Sequence, residues 1–427
     1  MTLQERDKQY LWHPFTAFGE DDPLLITSAE GVYLHTHDGR KIVDAISSWW
    51  VNLHGHSHPI IAKAIAEQAQ KLEHVMFAGF THEPAILLAE NLLSILPKNQ
   101  SKIFLSDNGS TAVEVALKMA IQFWYNQNIT NKKKVIAIEG SYHGDTFGSM
   151  SVGARDIFIT PFNPYLFSVE FIEFPSQEKE NQVIEQFKKL VCKGDVGVFI
   201  FEPLVQGASG MRIYRPEVLD ELMAIARDQG VVCIADEVFT GFGRTGKIFA
   251  SDYLKTSPDL IAMSKGLTGG ALPLGATSCS RRIEEVFRDS SANKTFYHGH
   301  SYTGNPMSCA AANASIKILL SAECQNSINR ISHSFNDFAL RYRQTDNRLK
   351  SAQRLGCILS LELESSSATS YQNPLRKEIY RHFLSRHILL RPLGNILYVT
   401  PPYVTPSSVV ENILYEIESF IHNSSRK

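Results

Sequence analysis

The chain has 427 residues, 44% hydrophobic and 20% charged, with 42 basic and 44 acidic residues giving a net charge of −2. A chain of this length buries about three quarters of its unfolded surface, and at roughly 150 residues per domain it divides into two or three domains. The near balance of charge excludes a dedicated nucleic-acid or anionic-membrane binder, and 26 Gly and 18 Pro exclude collagen-like and low-complexity classes.

The opening MTLQERDKQYLWHPFT has mixed charge and no apolar signal core. The six cysteines, at 192, 233, 279, 309, 324 and 357, form no CxxC pair. Neither a disulfide framework nor a thiolate zinc site is expected, and a reducing cytoplasm is the expected compartment. The first sixty residues are rich in Gly, His and aromatics and predict a hairpin around His37, Asp38 and Gly39. Lys102 to Ser106 predicts a strand. Ser110 to about Gln127 predicts a helix, with apolar residues at Val113, Ala116, Leu117, Ala120, Ile121 and Trp124. Strands follow at Val135 to Ile138 and Val196 to Phe201. The apolar run from Val196 to Val205 is broken by Glu202 and Pro203, so it cannot cross a membrane. Val218 to Gln229 predicts an amphipathic helix stopped by Gly230. Val231 to Ala235 is apolar throughout, as in a strand covered on both faces. This alternation predicts an α/β fold, a parallel sheet between helices. From about Pro306 to Arg343 the pattern is helical, and short strands near Cys357 to Glu364 and Ile396 to Thr400 suggest a smaller α+β unit.

Five motifs carry chemistry. In SDNGSTAVE, 106–114, a strand ends and Gly109 and Ser110 open a helix. Such a start offers free N–H groups to an anion, although an ordinary N-cap has the same look. In IADEVFTGFGRTGK, 234–247, Gly241 to Lys247 imitates a phosphate loop, but Ile248 stands where that loop needs Ser or Thr. The GxGxxG at Gly241, Gly243 and Gly246 begins too far from the strand end for a dinucleotide site. Asp236 and Glu237 are instead carboxylates at the carboxyl end of a buried strand, where α/β ligands gather; a helix cap or an ion pair with Arg244 is the bland alternative. In LIAMSKGLTGG, 260–270, Lys265 sits among small residues after an apolar run. Desolvation there favours an imine-forming amine, against the alternative of a surface loop lysine. Tyr142, between glycines in GSYHGDTFGSMSVG, offers a flat ring for stacking. His54, His56 and His58 alternate in HGHSH, but no further ligand follows at metal spacing and Pro59 ends the run. A packed turn is expected there, with no metal. Taken together, an anion site at Gly109 and Ser110, a stacking Tyr142, an acid at Asp236 and an amine at Lys265 meet the needs of pyridoxal phosphate.

SDNGSTAVEVALKMA, SYHGDTFGSMSVG, ADEVFTGFGRTGK, SKGLTGG and HGHSYTGNP resemble the class III pyridoxal phosphate aminotransferases. LWHPFT, SSWW at 47–50, HVMFAGFTHEPA at 74–85 and RPLGNILYVTPP at 391–402 narrow the resemblance to the biotin-synthesis branch, over about residues 10 to 403. The resemblance implies a fold-type I architecture: residues 1–60 joining a small domain, 61–310 a large cofactor domain, and 311–427 a C-terminal small domain. It implies a cytoplasmic homodimer whose sites are shared between chains. Lys265 then carries the cofactor and moves the proton, Asp236 pairs with the pyridine N–H, and Tyr142 stacks on the ring. Gly109 and Ser110 hold the phosphate, with His300 and Ser301 supplied from the neighbour. Arg391 grips the substrate carboxylate, Trp49 and Gly299 contact substrate, and Arg244 lies near the donor. The implied reaction converts 8-amino-7-oxononanoate to 7,8-diaminononanoate by ping-pong transfer. S-adenosylmethionine is the expected donor. Phe15 replaces a tyrosine usual in that branch, and His300-Ser301-Tyr302 also departs toward lysine-using relatives, which keeps L-lysine as the alternative. A class III enzyme acting on ornithine, 4-aminobutyrate or another ω-amino acid is the second reading.

Overall fold

A computed structural model describes residues 1–19, 23–154, 158–289, 291–342 and 348–424. Its centre is a seven-stranded sheet of β1 (Gln100–Ser106), β2 (Lys134–Ile138), β3 (Glu170–Ile172), β4 (Val196–Phe201), β5 (Val232–Asp236), β6 (Leu260–Met263) and β7 (Gly275–Ser280). The spatial order is β1-β7-β6-β5-β4-β2-β3. The pairs among β2 to β6 are parallel, whereas β7 runs antiparallel to both β6 and β1. The sheet is thus mostly parallel with helices on both faces, as the fold-type I resemblance implies, and the parallel run that the alternation alone predicts is interrupted by one reversed strand. Its sequence, GATSCS, has too little apolar character to announce it.

The period of two along each strand divides the core into two layers. Val198, Ile200, Val232, Ile234, Leu260 and Ala262 face one side, against Val113, Ala116, Leu117 and Ala120 of the helix Gly109–Asn126. Phe199, Phe201, Cys233, Ala235, Ile261 and Met263 face the other, with Phe187 and with Leu219 and Leu222 of the helix Pro216–Asp228. Each such large side chain stabilises the fold by about 1.5–3 kcal/mol. The stretch read as one helical region is two helices, Pro306–Leu319 and Ala322–Tyr342. Leu320 and Ser321 separate them, and the Ser321 Oγ accepts from the Cys324 N–H at 3.2 Å.

Tyr33–Thr36 and Lys41–Asp44 form the expected hairpin, joined by Ile26–Glu30 on one edge. On the other edge Ile388–Leu389 pairs in parallel with Lys41–Asp44. Leu349–Leu355, Ile358–Leu363 and Ile396–Val399 make an antiparallel three-stranded sheet. The histidines of HGHSH lie in a packed turn. His54 Nε2 meets Ser315 Oγ at 3.1 Å, His56 Nε2 meets Asp44 at 2.9 Å, and His58 precedes the helix Pro59–Lys71. Among the described residues no helix is long and apolar enough to cross a membrane.

Candidate active site

Five strands deliver their carboxyl ends to one edge of the sheet. Beyond β1 come Asn108, Gly109 and Ser110; beyond β2 come Tyr142, His143 and Gly144. Glu202 follows β4, Asp236 ends β5, and Lys265 follows β6. These residues line a cavity of about 190 Å³. The arrangement follows from parallel winding, which sends every such strand end to the same side.

Asp236 is 4% exposed. Its Oδ2 accepts from His143 Nδ1 at 2.7 Å and its Oδ1 from the Val238 N–H at 3.1 Å. Because a carboxylate only accepts, His143 must carry its proton on Nδ1. Lys265 lies in the left-handed region at φ 45°. Its Nζ is 4.5 Å from the Trp50 ring centre and 5.6 Å from that of Phe239. Burial lowers the Lys265 amine to about 8, although the charges of Asp236 and Glu202 oppose the shift. Burial likewise raises Glu202 to about 7. The Glu202 carboxylate accepts from the N–H groups of Tyr142 and Gly207, each at 2.9 Å.

The anion end of the cavity is the start of the helix Gly109–Asn126. Asn108 Oδ1 accepts from the Thr111 N–H at 2.9 Å. The amides of Gly109 and Ser110 have no acceptor among the described residues, and the helix dipole adds positive potential there. Space is tight. A Cβ on Gly144, at φ +126°, would lie 2.1 Å from Ser110 Oγ, and one on Gly109 would lie 2.7 Å from a Val238 methyl. Ser110 Oγ accepts from the Asp145 N–H at 3.1 Å, and the Tyr142 hydroxyl donates to Asp145 at 2.9 Å. The Tyr142 ring is therefore anchored at the same loop that borders the anion end.

A second chamber of about 170 Å³ opens beside Lys265, walled by Phe15, Trp49, Trp50, Phe158, Tyr371, Arg391 and Tyr398 among others. Phe15 lies 5.6 Å from Trp49 and 5.7 Å from Phe158. The Arg391 guanidinium stands 4.6 Å over the Trp49 ring. A largely apolar chamber with Arg391 at its wall suits a long, mostly apolar molecule ending in a carboxylate.

Gly109, Ser110, Tyr142, Asp236, Lys265, Phe15, Trp49 and Arg391 are thus brought together. Arg244 is not among the residues lining either chamber. It is fully buried, and its guanidinium donates to Thr400 Oγ1 at 2.9 Å, the Trp50 carbonyl at 3.2 Å and Ser47 Oγ at 3.3 Å. The ion pair with Asp236 or Glu237 offered as its bland role is not formed either. Glu237 accepts from Thr240, Ala250 and Ser251. Gly299, His300 and Ser301 also do not line either chamber of their own chain. The His300 N–H donates to Thr303 Oγ1 at 3.0 Å, and Tyr297 and Tyr302 nearby are 73% and 64% exposed. Sequence reasoning passed over Glu202, His143 and Tyr398 as site residues, and took Trp50 only as part of the SSWW resemblance. Glu202 carried a usable signal: like Asp236, it is a carboxylate at the end of an apolar strand.

A wound sheet whose strand ends converge on a desolvated lysine, a buried aspartate and a helix start defines a class of aminotransferase. Residues 16–421 match the aminotransferase class-III family, and the chain belongs to it. It is 45% identical over 424 residues to the adenosylmethionine-8-amino-7-oxononanoate aminotransferase of Synechococcus elongatus, covering 96% of this chain and 98% of that protein. The protein of the same name from Staphylococcus aureus is 33% identical over 443 residues, covering 99% and 97%. The crystal structure of the Methanocaldococcus jannaschii protein of that name superposes with a TM-score of 0.92 at 33% identity, covering 99% and 98%. An amine transaminase from an uncultivated Pseudomonas species, solved with pyridoxal phosphate bound, superposes at 0.91 and 25% identity, covering 97% and 98%.

Proposed function

We propose that this chain aminates 8-amino-7-oxononanoate to 7,8-diaminononanoate, with pyridoxal phosphate as resident cofactor and S-adenosylmethionine as amino donor. The observation that carries the reading is the juxtaposition of the Lys265 cavity with an aromatic chamber ending at Arg391. Relatives that bear the corresponding name over nearly their full length support the choice of substrate.

The cofactor fits the residues present. Gly109 and Ser110 offer unpaired amides to a phosphate, Tyr142 a flat face, Asp236 a fixed carboxylate for a protonated ring nitrogen, and Lys265 an amine. When bound, pyridoxal phosphate supplies a carbon that takes up the amino group and a ring that draws off negative charge. Asp236 would keep the proton on the ring nitrogen, and the His143 hydrogen bond holds that carboxylate in place. Lys265, with its amine near 8, has a substantial neutral fraction at physiological pH and would carry the proton between carbon centres. Arg391 would pair with the substrate carboxylate while Trp49 and Phe15 exclude water from the alkyl chain. A homodimer is part of the same reading: Gly299, His300 and Ser301 leave their own cavity unserved and would complete the neighbour's. Six free cysteines accord with a cytoplasmic setting.

The test is the donor half-reaction on purified, cofactor-loaded protein without ketone, followed by loss of the cofactor's visible absorbance. Bleaching by S-adenosylmethionine is expected. Bleaching by L-lysine alone would reassign the donor, and bleaching only by ornithine or 4-aminobutyrate would overturn the substrate assignment.

A further inference from the structure

Both tryptophans that wall the site sit on a backbone that should not hold itself. In Ser47–Trp50, Ser47, Ser48 and Trp50 have φ of 53°, 59° and 65°, the left-handed region that strains residues with a side chain. None is glycine. The turn persists only if its surroundings over-determine it.

Ser47 and the Trp50 carbonyl are held from one side by Thr400 and Arg244; the group that holds Ser48, next to Trp49, lies beneath the turn, at the end of the strand Lys41–Asp44. Asp44 is fully buried. Its Oδ1 accepts from the Ile46 N–H at 3.2 Å. Its Oδ2 accepts from the Ser48 N–H at 2.6 Å, the Ser48 hydroxyl at 3.0 Å and His56 Nε2 at 2.9 Å. His56 is in turn fixed by Asn52, whose amide donates to Nδ1 at 3.2 Å, and by backbone bonds in both directions with Gly31. With Nδ1 accepting, Nε2 bears the proton and donates to Asp44. Asp44 touches neither chamber. Above it, Trp49 carries Arg391 and Phe15 on its ring, while Trp50 flanks the Lys265 amine and donates its indole N–H to Tyr398 at 3.0 Å.

We propose that Asp44, held by His56, is a positioning residue that fixes the strained Ser47–Trp50 turn and thereby sets Trp49 against Arg391 in the ketone-binding chamber. The assignment of a ketone rests on the function proposed above; the placement of the turn does not. Charge-assisted bonds to two backbone N–H groups cannot be replaced by solvent in a buried site. Without them the turn relaxes toward ordinary backbone, and Trp49 leaves Arg391.

The experiment compares Asp44→Ala, Asp44→Asn and His56→Ala in cofactor-loaded protein carrying Trp12→Phe and Trp124→Phe, which leaves Trp49 and Trp50 as the only indoles. Two readouts are taken: KM and kcat for 8-amino-7-oxononanoate, and quenching of indole fluorescence by acrylamide. Asp44→Ala should raise KM at least tenfold with kcat within threefold, and should at least double the quenching constant. Asp44→Asn, which keeps one acceptor, should recover part of both, and His56→Ala should shift both in the same direction by less. If Asp44→Ala does not fold, the His56→Ala result decides. Wild-type quenching and wild-type KM in a folded variant would overturn the proposal, as would a loss of kcat with quenching unchanged. If the unmodified enzyme ignores this ketone, the function fails while quenching still tests the turn.

Discussion

Replacing Asp236 separates its chemical role from its structural one. In Asp236→Ala, the His143 ring N–H and the Val238 amide lose their acceptor. A buried donor left unsatisfied costs about 1–3 kcal/mol, so the loss is about 2–6 kcal/mol. At about 2.1 cal/mol/K per residue, the 427 residues have an unfolding entropy near 0.9 kcal/mol/K, and the melting temperature should fall by about 2–7 °C. Asp236→Asn keeps an oxygen for Val238, and His143 can turn its other tautomer toward the amide, so its melting temperature should fall by no more than about 2 °C. Activity should not follow that order. Asparagine cannot hold a proton on a ring nitrogen, and removing such preorganised charge costs on the order of 10³ in rate. The assay is a single-turnover half-reaction beside a thermal melt on each variant. If Asp236→Asn keeps more than a tenth of the wild-type rate, or if rate losses scale with melting-temperature losses across the two variants, the role given to Asp236 is wrong.

In cofactor-free protein, acetic anhydride labelling of Lys265 should titrate near 8, against about 10.4 for unperturbed lysines, and coincidence with the bulk would refute the burial argument. Glu202, raised from 4.5 to about 7, binds its proton more tightly folded than unfolded. The stability it contributes is complete below about pH 4.5 and is lost as pH rises to about 7, by about 3 kcal/mol or 3 °C; melts of wild type against Glu202→Gln should converge or cross over that window. Gly144→Ala drives a methyl into Ser110 at a φ that only glycine tolerates. It should weaken cofactor retention by about tenfold to a hundredfold, read by equilibrium dialysis.

What the sequence disclosed was local. Asp236 and Lys265 follow apolar strands, and Gly109 and Ser110 open a periodic helix, so each is visible within a dozen residues. Glu202 obeyed the same rule but was read only as an interruption of an apolar run. The second chamber was opaque to residue-level reasoning because its walls come from Phe15, Trp49, Phe158 and Arg391, which nothing short of the fold brings together; resemblance alone pointed to Phe15, Trp49 and Arg391. Arg244 was placed near the donor by resemblance alone. Residue-level reading offered its guanidinium only as an ion-pair partner of Asp236 or Glu237; in the fold it satisfies inward-facing oxygens of Ser47, Trp50 and Thr400. The reversed strand β7 escaped notice because small and hydroxylated residues can fill a covered strand when the helix above packs closely.

The pairing of Lys41–Asp44 with Ile388–Leu389 has a consequence for how the molecule is born. The turn that bears Trp49 and Trp50 is tied down by Ser47 bonding to Thr400, 353 residues further on. At about 5–20 residues per second, the ribosome needs roughly 20–70 s to make that distance. For all of that time the first forty-odd residues, with their exposed aromatic side chains, lack the strand that completes their sheet. All seven strands of the wound sheet, β1 to β7, are synthesised before Ile388–Leu389. Trp49 and Trp50, which wall the two chambers, therefore emerge from the ribosome long before the residue that ties down their turn.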